Sequence, residues 1–157
     1  MKRVEADDPV AFCQQGFNEY NKGEYSCAFE YWTKAADLGY VEAHYQLADL
    51  YRDGEGVEKD EKKEIHHLEE AAVGGHPKAR HNLGCDEWNN GSKERAVKHW
   101  IISATQGCDN SIKALMDFFK EGFVEKEVLE RALRAHQAAV DATKSPQRDR
   151  AEETVSE

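Results

Sequence analysis

The chain repeats itself with a period of 32 to 36 residues, and two sets of positions carry the same register. Small residues at the start of a predicted first helix recur 32, 36 and 32 residues apart, at Ala11, Ala43, Ala79 and Ser111. Glycines after a predicted second helix recur 36 and 32 residues apart, at Gly39, Gly75 and Gly107. Periods of this length are typical of stacked repeat architectures.

Each repeat has the pattern of two helices joined by a turn. In the second repeat, apolar residues at i, i+4, i+7 and i+8 form one face of a helix, at Ala43, Leu47, Leu50 and Tyr51. A glycine-containing turn follows in every repeat. Apolar residues at i, i+3 and i+7 then recur in the second helices, at Phe29, Trp32 and Ala36, at Ile65, Leu68 and Ala72, and at Val97, Trp100 and Ala104. No alternation typical of strands is sustained, so the sequence predicts an all-α chain.

Two helices of about a dozen residues cannot bury their apolar faces alone, so the hairpins are expected to stack. The sequence therefore predicts a right-handed α-solenoid of about four stacked helical hairpins over residues 8–141. The predicted units cover residues 8–40, 41–76, 77–109 and 110–141. Polar sequence without an apolar face predicts disorder in the N-terminal segment 1–7 and in the tail 142–157.

Several residues of the second unit resemble a Sel-1-like repeat, a member of the tetratricopeptide-like helical superfamily. The matching residues are Ala43, Leu47, Ala48, Leu50, Tyr51, Gly54, Gly56, Val57, Asp60, Ala71, Ala72 and Gly75. The first unit is more similar to a tetratricopeptide repeat, with Gly16, Tyr20, Gly23, Tyr25, Ala28, Trp32 and Ala35 in place. The third unit keeps Leu83, Gly84, Gly91, Ala96, Trp100, Ala104 and Gly107, whereas the fourth is degenerate, as a capping repeat should be.

The resemblance implies a protein-protein interaction scaffold without catalytic activity or cofactor, which binds a peptide or a partner helix in a concave groove. An alternative is an accessory or substrate-recruiting portion of an enzyme complex, such as a ubiquitin ligase, with catalysis residing elsewhere. The chain is also similar to microalgal proteins that pair such repeats with a RING-type domain. A stand-alone metallohydrolase is a third class, and metal in the purified protein would distinguish it.

Charge and composition limit the partners and the compartment. A formal net charge of -10 disfavours nucleic acid, because phosphate binding needs clustered Lys and Arg. No run of about 18 apolar residues predicts a membrane span, and the first residues lack the apolar middle of a signal peptide. Four irregularly spaced cysteines favour reduced thiols. The sequence therefore predicts a cytoplasmic, monomeric chain with a protein or peptide partner.

Three stretches invite a chemical interpretation, and each has a structural alternative. The acidic segment "DGEGVEKDEKKE" is predicted to be a turn, because lysines and glycines stand where calcium ligands belong. His66 and His67 are adjacent on a helix and point about 100° apart, so they are predicted to be packing or surface residues. His81 and Cys85 share a helical face and suit zinc, but two further ligands are missing, so no metal site is predicted. No catalytic motif is present.

The groove is predicted to be lined by side chains of the first helices that point away from the core. These are Phe17, Tyr20, Tyr45, Asp49, Arg52, His81, Trp88, Lys113, Asp117 and Lys120, with Cys13 and Cys85 on the same faces. Aromatic and Arg side chains suit the anchoring of a peptide or a helix. Tyr20 and Trp88 follow the position of the usual core tyrosine by one residue, so a core role stays open for both.

Overall fold

A computed structural model describes the backbone of residues 8–155 and the side chains of residues 8–144. The elements are α1 Pro9–Asn21, α2 Tyr25–Asp37, α3 Val41–Asp53, α4 Glu61–Val73, α5 Pro77–Asn89, α6 Lys93–Thr105, α7 Asp109–Lys120 and α8 Lys126–Val155. Within these described residues there is no strand. The prediction of an all-α chain is confirmed.

The chain divides into two compact units, and the division falls between Ala79 and Arg80, near the start of α5. In the N-terminal unit, α1 packs on α2, α2 on α3 and α3 on α4. In the C-terminal unit, α6 packs on α7 and α8, and α7 packs on α8. Each unit has its own apolar core, built around Trp32 and Leu47 in the first and around Trp100 and Leu115 in the second.

A glycine facing a tryptophan recurs in the two units. Trp32 donates its indole N–H to the carbonyl of Cys13, at 3.1 Å, and Trp100 donates to the carbonyl of His81, at 3.2 Å. The indole therefore lies flat on the backbone of the first helix. A Cβ at Gly16 would stand 2.3 Å from the Trp32 ring, and one at Gly84 would stand 2.6 Å from the Trp100 ring. Only glycine leaves room for these tryptophans.

The longest turn of the N-terminal unit joins α3 to α4, at residues 54–60. Gly54 ends α3 with a φ of 71°, a left-handed conformation that glycine adopts without strain. Val57 packs against the core, and the Asp60 side chain accepts a hydrogen bond from the Lys63 N–H at the start of α4. The acidic segment forms the turn that the sequence predicts.

The last helix differs from the sequence-based expectation of a disordered tail over residues 142–157. α8 continues to Val155, well past the predicted end of the array at residue 141. Ala, Arg and Glu recur after residue 141, and these residues favour helix even without an apolar face, whereas Pro146 disfavours it. The other predicted disordered segment, residues 1–7, lies outside the described residues, as do residues 156 and 157.

Candidate functional site

The predicted binding residues of α1 pack inside the N-terminal unit. The ring of Phe17 stands edge-on to that of Trp32, with 5.3 Å between centroids. Tyr20 lies 5.7 Å from Trp32 and 4.9 Å from Tyr25, and its hydroxyl donates to the Glu55 carboxylate at 3.1 Å. Both rings pack against the core cluster and are only partly buried. Tyr20 therefore serves packing, one of the two roles that the sequence left open.

The predicted binding residues of α3 are also engaged with neighbours. Tyr45 stacks on His76, with centroids 4.4 Å apart. Arg52 Nη2 lies 2.8 Å from Asp49 Oδ1, and Arg52 Nε lies 3.4 Å from Asp53 Oδ1. Burial raises the pKa of Asp49, although the Arg52 charge acts in the opposite direction. A ligand of this face would compete with these existing contacts.

His76 connects this face to the start of α5. Its Nδ1 accepts the Ala79 N–H at 3.2 Å, which leaves the proton on Nε2, and Nε2 lies 2.8 Å from Glu42 Oε2. The hydrogen bond from His76 lowers the pKa of Glu42. Tyr45 thus stacks on an imidazole that is itself held by two hydrogen bonds, and the ring of Tyr45 is fixed against it.

Four of the predicted residues meet at one cavity in the C-terminal unit. The cavity has a volume of about 430 Å³ and lies between the faces of α5 and α7, with α6 behind. Its lining comprises the predicted His81, Trp88, Lys113 and Asp117, together with Cys85, Asn89, Trp100, Asn110, Ala114 and Phe118. Lys120, the remaining predicted residue of α7, is exposed and does not line the cavity. We call this space the α5–α7 cavity.

Aromatic rings form the wall of the α5–α7 cavity. Phe118 lies 3.8 Å from Trp88 and 4.9 Å from Trp100 between centroids, and it is nearly parallel to Trp100. Trp88 also lies 5.6 Å from Trp100. Trp88 therefore packs on the core residue Trp100 and lines the cavity as well. Sequence reasoning missed Phe118 because the fourth repeat departs from the pattern, although it stands seven residues after Ser111.

Polar side chains without internal partners form the rim of the cavity. Lys113 and Asp117 are exposed, and neither forms an ion pair within the described side chains. Asn89 and Asn110 are likewise exposed, at the end of α5 and the start of α7. Each Asn carries two amide donors and a carbonyl acceptor. A ligand at this rim would meet polar groups that have no competing contacts.

His81 and Cys85, the pair weighed as zinc ligands, do come together. Cys85 Sγ lies 3.5 Å from His81 Nε2, and His81 Nδ1 lies 2.8 Å from the hydroxyl of the buried Ser111. Burial raises the pKa of the Cys85 thiol and lowers that of His81. Both groups are therefore held in their neutral forms. Among the side chains of residues 8–144, no group of three or more His, Cys, Asp or Glu is placed to hold a metal ion.

A second histidine cluster lies between α3 and α4. His44 Nδ1 is 3.0 Å from His67 Nδ1, and the His67 ring is stacked on Tyr51 at 5.7 Å. Burial lowers the pKa of His67 to about 4, and the neighbouring His44 and His66 add to that effect. Burial also lowers the pKa of His44. His67 thus packs inside the unit, whereas His66 is exposed.

The repeat register, the glycine–tryptophan contacts and the helical hairpins point to one family. The family model of the Sel1 repeat matches residues 21–40, 41–76 and 77–108, more than half of the chain. This chain belongs to the Sel1 repeat family. The family is a protein-interaction scaffold type and is generally non-catalytic.

Two solved structures of Sel1-like repeat (SLR) proteins are similar to this chain. One is c5321, a protective antigen present in uropathogenic Escherichia coli strains that displays an SLR fold; it is 26% identical with a TM-score of 0.71. That similarity covers 86% of this chain and 31% of c5321. The other is a Sel1 repeat protein from Oxalobacter formigenes, 25% identical with a TM-score of 0.71, covering 90% of this chain and 61% of that one. The prediction of a helical repeat fold is confirmed.

The chain thus spans less than two thirds of either neighbour. The comparison with curated proteins gives no match. The further similarity to microalgal proteins with a RING-type domain is not shown by these comparisons. Over the residues that the structure describes, no helix combines the length and the apolar character that crossing a membrane requires.

Proposed function

We propose that this chain is a non-catalytic scaffold that binds a partner protein, and that the α5–α7 cavity is its principal binding site. One observation carries the proposal: the cavity combines an aromatic wall with rim groups that lack internal partners. Pockets that bind ligands typically have an apolar lining and a few polar groups that orient the ligand. Aromatic anchors at such sites supply much of the binding free energy.

The N-terminal unit contributes less to binding in this proposal. Phe17, Tyr20, Tyr45, Asp49 and Arg52 were predicted as groove residues, but each already contacts a neighbour inside its unit. A partner would have to replace those contacts before gaining its own. We assign these five residues mainly to packing and surface charge pairing, and we keep the predicted groove only for its α5 and α7 members.

A matched pair of double variants tests the proposal. Lys113→Ala with Asp117→Ala removes two rim charges four residues apart on α7. Lys126→Ala with Glu130→Ala removes the same kinds of charge at the same spacing on α8, where the two form an exposed pair at 3.8 Å. A partner captured from the native cell, identified by mass spectrometry and purified, is titrated against both variants by calorimetry.

We expect the α7 variant to bind about tenfold more weakly, which corresponds to about 1.4 kcal/mol, and the α8 variant to bind like the parent chain. Equal affinities for the parent chain and both variants would overturn the assignment of the cavity. Far-ultraviolet circular dichroism checks that both variants keep their helices. All four changed residues are exposed, so neither variant loses core contacts.

A second role uses the same surface, in which the chain recruits substrates for an enzyme complex such as a ubiquitin ligase. In such a complex the scaffold would hold the substrate while catalysis resides on another chain. The distinguishing measurement is the composition of the complex isolated from the native cell. A catalytic subunit bound at the α5–α7 cavity supports recruitment, and a partner without catalytic activity supports the simple scaffold.

The proposal also keeps a cytoplasmic location and a monomeric state. The described cysteines are all free, and burial raises the pKa of Cys13 to about 11, which keeps its thiol protonated. Reduced thiols are typical of intracellular compartments. Light scattering coupled to gel filtration checks the monomer, and cell fractionation checks the location. A dimer mass at micromolar concentration would contradict the first.

A further inference from the structure

The rim of the α5–α7 cavity carries information about the shape of its ligand. Asn110 precedes Ser111, which contacts His81, and Asn89 follows Trp88, which contacts Phe118, so the two Asn stand at opposite ends of the cavity. Seven residues separate Asn110 from Asp117 on α7, which is about 10 Å along a helix axis. An extended peptide rises about 3.3 Å per residue, so the cavity is about three extended residues long.

The two amides discriminate between an extended and a helical ligand. A helix satisfies its own N–H and C=O groups within its middle turns, so it offers nothing to Asn89 or Asn110. An extended segment presents those groups at every residue, and each must find a partner when it leaves water. Asparagine amides can both donate and accept, so they suit a peptide backbone in either direction.

The aromatic wall of the cavity indicates that the central side chain of the ligand is aromatic. Trp88 and Phe118 contact each other, with 3.8 Å between centroids, and both line the cavity beside the small Ala114. An aromatic side chain gains offset-stacked or edge-to-face contacts there, beyond the gain from its buried area. Lys93 already occupies one side of Trp88, with its ammonium 5.1 Å from the ring centroid, so a cationic side chain would meet repulsion from Lys93.

The charge of the C-terminal unit indicates which side chain of the ligand lies next to the aromatic one. Residues 8–79 hold seven Lys and Arg against fifteen Asp and Glu, whereas residues 80–144 hold ten of each. The acidic excess thus belongs to the N-terminal unit, and the C-terminal unit does not repel an acidic partner through its overall charge. Lys113 on the cavity rim and Lys120 on the same helix have no carboxylate paired with them among the described side chains.

On the basis of the proposed function, we infer that the α5–α7 cavity binds an extended peptide segment with an aromatic residue next to an acidic one. The aromatic ring packs against the sides of Trp88 and Phe118 that line the cavity. The acidic side chain pairs with Lys113. Asn89 and Asn110 hold the peptide backbone on either side, and Asp117 accepts a peptide N–H.

Four synthetic peptides test this inference against the full chain. The reference is the acetylated and amidated pentapeptide Gly-Glu-Phe-Glu-Gly, and the others replace both Glu by Gln, replace both Glu by Lys, or methylate the Phe and second Glu backbone nitrogens of the reference. Phe leaves the fluorescence of the protein free of peptide signal, so Trp88 and Trp100 report binding directly. Nuclear magnetic resonance shifts give the affinities of weak complexes.

We expect the reference peptide to bind most tightly, the Gln peptide about fivefold more weakly, and the Lys peptide and the methylated peptide at least tenfold more weakly. In Lys113→Ala the preference for Glu over Gln disappears, while in the Asn89→Ala, Asn110→Ala double variant all unmethylated peptides weaken equally. Lys126→Ala is the matched control and keeps the full order. Equal affinity of the reference and Gln peptides, or no effect of methylation, would overturn the inference.

Binding of the natural partner to the Lys113, Asp117 double variant shows whether the inferred ligand or the proposed function itself is wrong. If the captured partner is released by the Lys113, Asp117 double variant but uses a helix, or a segment without an acidic residue, the site is correct and the inferred ligand is wrong. If that double variant leaves the partner bound, the proposed function itself fails. Cross-linking followed by peptide mapping identifies which segment of the partner reaches the cavity.

Discussion

The two units use equivalent repeat positions in different ways. Tyr20 and Trp88 occupy the same position of their repeats, and each contacts the core tryptophan of its unit. Tyr20 also bonds to Glu55 and packs against its core cluster, whereas Trp88 stands at the edge of an open cavity. Equivalent positions of two repeats therefore do not share a fixed role, because the structure that packs next to each ring decides whether the ring is covered or left accessible.

Charged residues on α3 and α7 also differ between the two units. On α3, Asp49 and Arg52 pair with each other, at 2.8 Å. On α7, Lys113 and Asp117 have a similar separation along the chain, yet no ion pair joins them among the described residues. The charges on this face of α3 are thus satisfied internally, and those on the cavity face of α7 are left for a ligand. The predictions below test whether this difference is real, beginning with the largest effect.

The glycine–tryptophan contacts are expected to give the largest losses of stability. Gly16→Ala and Gly84→Ala place a methyl group 2.3 Å and 2.6 Å from an indole nitrogen, so each tryptophan must move. We expect each variant to lower the free energy of unfolding by about 3 kcal/mol, although alanine favours helix by about 1 kcal/mol over glycine. Urea denaturation followed by near-ultraviolet circular dichroism measures the change.

The control for these variants is Ala48→Gly, which makes the opposite exchange in the second repeat. There the matching second-helix residue is Leu68, which is smaller than tryptophan and leaves room for a Cβ. Ala48→Gly is expected to cost about 2 kcal/mol, because it lowers helix propensity and removes a buried methyl group. An increase in stability on Gly84→Ala would show that the indole does not lie on the α5 backbone.

Trp88→Ala and Tyr20→Ala compare the two equivalent rings directly. Each variant removes a large, partly buried aromatic side chain, so we expect each to lower the free energy of unfolding by about 2 kcal/mol. Only Trp88→Ala is expected to remove binding of the reference pentapeptide. Peptide titration at a temperature where both variants stay folded separates the two effects. Loss of peptide binding in Tyr20→Ala would remove the contrast between the units.

Removing the charged residues of α3 or of α7 is expected to change stability little, but only the α7 change is expected to lower the affinity for the peptide. Asp49→Ala with Arg52→Ala breaks a partly exposed pair, so we expect a loss of about 0.5 kcal/mol in stability and no change in peptide affinity. Lys113→Ala with Asp117→Ala is expected to leave stability within about 0.5 kcal/mol and to weaken the peptide about tenfold. Matching behaviour of the two double variants would mean that the groove extends over α3.

Acid is expected to distinguish the units by their buried histidines. Burial lowers the pKa of His67 to about 4, whereas an unfolded His titrates near 6.5, so the unfolded chain binds the extra proton first. The contribution of neutral His67 to the free energy of unfolding is fully present above about pH 6.5 and is lost as the pH falls towards 4. Three charged neighbours lower the pKa of His67 further: His44, His66 and Lys63. The carboxylate of Asp37 raises it.

Hydrogen exchange at pH 7 and pH 5 measures this effect unit by unit. In the N-terminal unit the pKa values of His44 and His67 are lowered, and in the C-terminal unit the pKa of His81 is lowered. We expect protection in α3 and α4 to fall more than protection in α6 and α7. His67→Gln should reduce that fall, and His66→Gln, at an exposed neighbour, is the control. Equal losses in both units would contradict the assignment.

Much of the fold could be predicted from spacing alone. The lysines and glycines of the acidic segment predicted a turn rather than an ion site, and the structure has that turn, with Val57 on the core and Asp60 as the N-cap of α4. The lining of the α5–α7 cavity was predicted in part: the predicted groove named four of its residues, with Cys85 on the same face, but not Phe118, Asn89 or Asn110. Their roles depend on which side chains face them across α5 and α7, and no spacing within one helix contains that information.

The sequence by itself determined the repeat unit, because helical periodicity, glycine turns and small residues at close contacts are local requirements of a helical hairpin. Gly84 and Trp100 can even be paired from their registers. Only the tertiary structure decided which polar and aromatic groups are already satisfied. Asp49 and Tyr45 find partners inside their unit, whereas Lys113 and Trp88 border an open cavity. Binding depends on unfilled space and unpaired groups, and these arise only when separate helices are packed together.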